Sequence, residues 1–177
     1  LGCGAPLLAN LQSAALYPLN AIYFLFPVER AMGYSVVLHL ILAGLFMYGF
    51  TRCIGLRADA ALLASLAYML SGCLVSRAQF LSMVNGAAWL PLLFWLTVRI
   101  ARRRRLADGL LLGLAIAVQF LAGHAQLWYY SLWAVGLYAL FLAVRAILGG
   151  RCSDTPGEAN CRRGAWIALG IMLLAVL

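Results

Sequence analysis

Long, nearly uncharged apolar segments, separated by short arginine-bearing connections, dominate this chain and admit few folds. Of its 177 residues 66% are hydrophobic and 10% charged, with a mean hydropathy of +0.96. A water-soluble domain of this length cannot bury so much apolar surface, so lipid is the solvent the composition calls for. Candidate spans fall at 34–52, 58–76, 82–98, 106–123 and 126–148, and a shorter apolar run occupies 164–177. Crossing a hydrocarbon core takes about 20 apolar residues, with a lower limit near ~17, and the first five segments qualify. Asn85, Gly86 and Pro91 thin the outer half of the third, and Pro91 should kink it. The expected fold is an all-α polytopic transmembrane bundle of about five complete spans plus one truncated span. Its expected divisions are an extracytoplasmic loop at 1–33 with interfacial pieces, a helical bundle at 34–148, a cytoplasmic loop at 149–163 and a truncated helix at 164–177.

The arginines orient the bundle. All 13 basic residues are Arg. Nearly all of them fall on alternate connections: Arg52 and Arg57; Arg99 with Arg102 to Arg105; Arg145, Arg151, Arg162 and Arg163. By the positive-inside rule those connections are cytoplasmic, which leaves 1–33, 77–85 and 123–126 outside. A net charge of +8 could suit nucleic acid, but these arginines lie between apolar segments and form no soluble basic face, so no nucleic-acid partner is expected. The chain starts at Leu1 without Met or a signal pattern and stops inside an apolar run, which reads as an internal piece of a larger membrane protein. The five cysteines show no metal-ligand spacing. Cys152 and Cys161 flank Asp154 and Glu158, where a flexible loop is favoured over a metal loop, and Cys73 reads as a small packing residue within the membrane.

Several residues have expected structural roles, with catalysis at the two aspartates and substrate stacking by one of the aromatics as the less favoured readings. Asp59 and Asp108 open the second and fourth spans, where a carboxylate caps free N–H groups and complements the helix dipole. Gly109, Gly113 and Ala117 form a small-residue stripe for close packing, with Ala60 and Ala64 as its counterpart. Trp128, Tyr129, Tyr130 and Trp133 read as an outer aromatic belt, and Leu16, Tyr17, Ile22, Tyr23, Phe24 and Phe26 as interfacial. His39 reads as a buried, hydrogen-bonded histidine and Gln119 as helix–helix glue.

The outer face carries more polarity than chain reversal requires: Asn10, Gln12, Asn20, Glu29, Arg30, Arg77, Gln79, Asn85, His124 and Gln126. Arg77 breaks the positive-inside trend. A lipid-borne phosphate would pair with its guanidinium bidentately, and a snorkelling arginine on headgroups is the alternative. His124 could bind a phosphate, transfer a proton, ligate a metal or merely satisfy its turn. Glu29 is the one outer carboxylate, hence a candidate general base, although its pairing with Arg30 also suits a plain surface site.

Three phrases then line up. Gly4-Ala5-Pro6-Leu7-Leu8-Ala9-Asn10-Leu11-Gln12 leads into Tyr17-Pro18-Leu19-Asn20; Leu70-Ser71-Gly72 leads through Arg77 to Ala88-Trp89-Leu90-Pro91-Leu92; and Leu121-Ala122-Gly123-His124-Ala125-Gln126 follows. In this order they resemble the YfhO family of bacterial multi-spanning membrane proteins, grouped with GT-C-type glycosyltransferases, over most of residues 2–145. The family usually has Pro where this chain has Ala125, and Asn-Pro-Gln where it has Asn10-Leu11-Gln12. The resemblance implies a GT-C-like bundle in the bacterial cytoplasmic membrane that moves a sugar from a polyprenyl-phosphate donor to a cell-envelope glycan, teichoic acid or lipid. It makes Gln12, Arg77, His124 and Gln126 candidates for lining the donor site. The acidic catalytic residue of such enzymes would lie upstream of Leu1, leaving His124 and Glu29 as candidates within this chain. No cofactor is evident, and the chemistry leaves room for a divalent metal. The other classes open to this sequence are a transporter or lipid flippase and a non-catalytic membrane assembly protein.

Overall fold

The computed structural model describes residues 10–149, and every regular element among them is helical. Two 3₁₀ turns, Leu11–Ser13 and Pro18–Ala21, precede α1 (Ile22–Leu25). There follow α2 (Val28–Ile54), α3 (Ala58–Met69), α4 (Gly72–Ser76), α5 (Leu81–Arg103), α6 (Leu106–Leu121) and α7 (Ala125–Gly149). The run 164–177 and the loop bearing Cys152 and Cys161 lie outside the described residues. Four helical stretches are long and apolar enough to cross a membrane: Val28–Ile54, Ala58–Ser76, Leu81–Arg103 and Ala125–Ala146.

Several boundaries differ from the sequence reading. The first long helix starts at Val28, so 28–33 belongs to the bundle and not to the loop, because Pro27 supplies a fixed φ just ahead of the first turn. The stretch 58–76 is broken between α3 and α4, where Ser71 adopts an extended ψ of 140°. At 16 residues, α6 is about 24 Å long at 1.5 Å per residue, short of a ~30 Å hydrocarbon core.

Helix α5 is the centre of the bundle. Half of its spanning window is buried, against 17% for Ala58–Ser76 and for Ala125–Ala146, and it packs on α2, α6 and α7. Leu93, Leu96 and Ile100 meet Leu112, Ala115 and Ile116 of α6 and Val135 and Ala139 of α7. A smaller cluster joins Ala43, Leu74 and Ala88. Phe50 and Phe94 each pack edge to face on Tyr138. Leu62, Leu63, Leu110, Leu114, Leu137 and Phe141 face outward, as lipid-facing side chains do.

Pro91 lies buried inside α5, and the helix continues through it. Proline has no N–H to offer the carbonyl four residues back, which here belongs to Ala87. Tyr68 Oη donates to that carbonyl at 2.9 Å. A tyrosine on α3 therefore supplies the hydrogen bond that the proline withholds, and it ties the two helices together.

The arginine-bearing ends meet. The Arg102 guanidinium donates to the Cys53 carbonyl, which joins the end of α5 to the end of α2. Arg99 pairs with the buried Asp108 at 2.6 Å, and Arg57 pairs with Asp59 on the surface. Both carboxylates stay in the first turns of their helices, as the dipole favours. Among the described residues they bind arginines instead of capping backbone N–H groups, which corrects the capping expectation. The small-residue stripe is corrected too. Gly109 is buried, Gly113 is half-buried and Ala117 is exposed, because α6 turns Leu112, Ala115, Ile116 and Gln119 toward α5 instead. On α3, Ala61 and Ser65 are buried while Ala60 is exposed, and Ser65 Oγ donates to the Gly44 carbonyl on α2 at 2.7 Å.

Candidate functional site

The antiparallel run of α5, α6 and α7 carries the Gly123 turn to the end of the bundle opposite the arginine-rich connections. Gly123 has φ of 88°, a left-handed value that a side chain disfavours. The chain reverses there, and α7 begins when Trp128 N–H donates to the His124 carbonyl at 3.1 Å. Ala125 holds the first position of the new helix, where proline fits equally well because that N–H has no intrahelical partner.

Across from this turn, α4 ends at Arg77. Arg77, His124 and Gln126 line one cavity of about 340 Å³ together with Cys73, Leu74, Met83, Val84, Ala87, Leu127 and Tyr130. Its chemistry is divided. The apolar wall is built from α4, α5 and α7, while one guanidinium, one imidazole, one amide and one phenol supply the polar groups. Among the described residues the Arg77 guanidinium reaches only the Met83 sulfur, at 3.5 Å, a weak acceptor, and no carboxylate pairs with it. Gln126 Nε2 donates to Tyr130 Oη at 3.1 Å, one turn along α7. Within the described residues the cavity therefore presents cationic and neutral donors and no acidic group.

Three of the four residues expected to line a donor site thus come together. The fourth, Gln12, lines a neighbouring cavity of about 270 Å³ with Asn20, Tyr23, Ser82 and Asn85. Glu29 is exposed in the first turn of α2 and lines neither cavity. Its place suits the helix dipole, and Arg30 and Gln79 are likewise exposed. Among the described residues no group of three or more His, Cys, Asp or Glu is placed to hold a metal ion.

The loop that forms one wall is held by a chain of hydrogen bonds that sequence reading missed. Tyr17, expected at the interface, is 2% exposed. Trp89 Nε1 donates to Tyr17 Oη at 2.8 Å, and Tyr17 Oη lies 2.7 Å from His39 Nε2. His39 Nδ1 is 2.7 Å from the Ser35 carbonyl. That carbonyl only accepts, so in a neutral ring Nδ1 carries the proton, Nε2 accepts, and Tyr17 donates to it. Burial pushes the Tyr17 phenol up to about 12, against a smaller lowering from the Trp89 hydrogen bond. His39 is a buried, fully bonded histidine, as expected. Phe24 of the same segment is, by contrast, 93% exposed.

Gln119 is buried and donates to the Gly86 carbonyl and to Ser131 Oγ, each at 2.9 Å, so it joins α6 to α5 and α7 as helix glue does. Cys73 is exposed and lines the larger cavity, which corrects its reading as a packing residue. Tyr129 and Trp133 face outward in edge-to-face contact, as a belt requires. Tyr130 belongs to the cavity, and Trp128 packs on Phe120.

Fold and site together define an α-helical membrane protein whose cavity, at one end of the bundle, sets an apolar wall against a few basic and neutral polar groups and, among the described residues, no acidic one. Compared with known protein families, curated proteins and solved structures, the chain matches none.

Proposed function

We propose that this chain is part of a membrane glycosyltransferase of the GT-C type, which takes a sugar from a polyprenyl-phosphate donor and passes it to an acceptor in the cell envelope. The observation that carries the reading is the convergence of Arg77, His124 and Gln126, from two elements far apart in sequence, on one cavity with an apolar wall. A guanidinium without a carboxylate partner among the described residues favours an anion, and its planar fork matches two phosphate oxygens. Leu74, Val84 and Leu127 suit the first isoprene units of the same molecule. In this reading Arg77 and His124 hold the phosphate while the glycosyl–phosphate bond breaks, and they stabilise the charge that develops on the leaving oxygen. The cavity faces the cell exterior if the arginine-rich end is cytoplasmic.

The test supplies radiolabelled polyprenyl-phosphate sugars to membranes containing the protein. Transfer to an envelope acceptor that falls at least tenfold in both Arg77→Ala and His124→Ala supports the reading. Undiminished transfer in either variant removes that residue from the site, and no transfer by folded, membrane-inserted protein with any donor removes the reaction. A lipid transporter is the second reading, favoured by the break between α3 and α4 beside the cavity, since transporters place interrupted helices at their binding sites.

A further inference from the structure

The smaller cavity is chemically unlike the larger one. Among the described residues its polar lining consists of amides and hydroxyls, Gln12, Ser13, Asn20, Tyr23, Ser82 and Asn85, with no charged residue. It also lies on the other side of α5. Leu81, Ser82 and Asn85 fall on one face of the helix at 100° per residue, whereas Met83, Val84 and Ala87, which line the larger cavity, fall on the opposite face.

Asn85 is the informative member. It is only 3% exposed, yet its side-chain amide makes no hydrogen bond with any described residue, and Oδ1 is fully covered without a partner. A buried amide left unpaired is costly, so a group that satisfies it is strongly favoured. The opposite wall is held in place from within the chain. Asn20 Nδ2 donates to the Ala14 carbonyl at 2.8 Å, which braces Ala14 in a left-handed conformation with φ of 47°. Gln12 N–H donates to Asn10 Oδ1 at 3.1 Å, so the adjoining turn is braced as well. Uncharged donors and acceptors, arranged around an unpaired buried amide, fit a neutral ligand with several hydroxyl groups and bring no positive charge to an anion.

We propose that this second cavity binds a neutral, polyhydroxylated group, the chemical class of a sugar ring, and that Asn85 is its central hydrogen-bonding residue with Ser82 beside it. The site stands on its own lining and does not depend on phosphate binding at Arg77 and His124. A site built to bond hydroxyls also rejects analogues that lack them.

Purified full chain in detergent is titrated with a panel of neutral methyl hexosides and, separately, with inorganic phosphate, using ligand-observed NMR. The expected result is binding of at least one hexoside, weakened about tenfold or more by Asn85→Ala and by Ser82→Ala and unchanged by Arg77→Ala. Phosphate binding is expected to show the reverse pattern, so failure of one site is read apart from failure of the other. Ser82→Ala removes one hydroxyl from a half-buried position and keeps the test sound if Asn85→Ala lowers the yield of folded protein. Absence of binding by every hexoside to folded wild-type chain, or affinities unchanged in both variants, overturns the proposal.

Discussion

Tyr17 Oη and His39 Nε2 are 2.7 Å apart, the tightest link between the N-terminal loop and the long helix α2. Because Trp89 Nε1 donates to the same phenol, one hydroxyl fastens the loop to α2 and α5 at once. The cavity wall carrying Gln12 and Asn20 is anchored through it.

Tyr17→Phe should therefore strand two polar atoms, Nε1 of the half-buried Trp89 and Nε2 of the buried His39. The expected cost is about 1–3 kcal/mol, measured by thermal or urea denaturation in detergent. Limited proteolysis between residues 10 and 27 should accelerate in the same variant. A Tyr17→Phe protein as stable and as resistant as wild type would show that the relay contributes nothing.

The phenol also links stability to alkaline pH. Its ordinary value is 10.0, and in the folded chain it stands at about 12. A raised folded value means that the folded state keeps the proton longer, so this contribution is complete below pH 10 and fades as pH rises through about 12. The difference in melting temperature between wild type and Tyr17→Phe should be constant at neutral pH and shrink above pH 10. A difference that does not change up to pH 12 contradicts the assignment.

Tyr68 and Pro91 should be energetically coupled through the Ala87 carbonyl. Tyr68→Phe alone is expected to cost about 0.6–2 kcal/mol, the range for interhelical hydrogen bonds in membrane proteins. In a Pro91→Ala background the restored N–H can satisfy that carbonyl, so the same change should cost less. A double-mutant cycle measures the coupling, and a value of zero would mean the two groups act independently.

Gly49 marks a contact where volume is the constraint. A Cβ at this position would lie 2.5 Å from the Trp95 ring, and a packed indole has little room to retreat. Gly49→Ala should destabilise the α2–α5 contact by about 1–3 kcal/mol. Gly33, with open space around its Cβ position, is the matched control, and Gly33→Ala should be neutral or slightly stabilising.

The sequence by itself determined the all-helical class, the rough positions of the long apolar stretches and which connections share an end of the bundle. Those properties are local sums: apolar length sets a span and arginine distribution sets an end, and neither needs a partner to be known. It also pointed to Arg77, His124 and Gln126, because polarity beyond what a turn requires is visible residue by residue. Only the tertiary structure decided which of these share a cavity and that Gln12 belongs to another. It also decided that Tyr17 leaves the interface to bridge His39 and Trp89, and that Tyr68 completes the helix around Pro91. Side chains from α3 and α5, or from the N-terminal loop and α2, meet only after packing fixes their rotation and depth. No periodicity records which carbonyl a distant hydroxyl will reach. The break at Ser71 stayed hidden for a related reason, since apolar composition reports the length of a segment and is silent on whether its backbone turns within it.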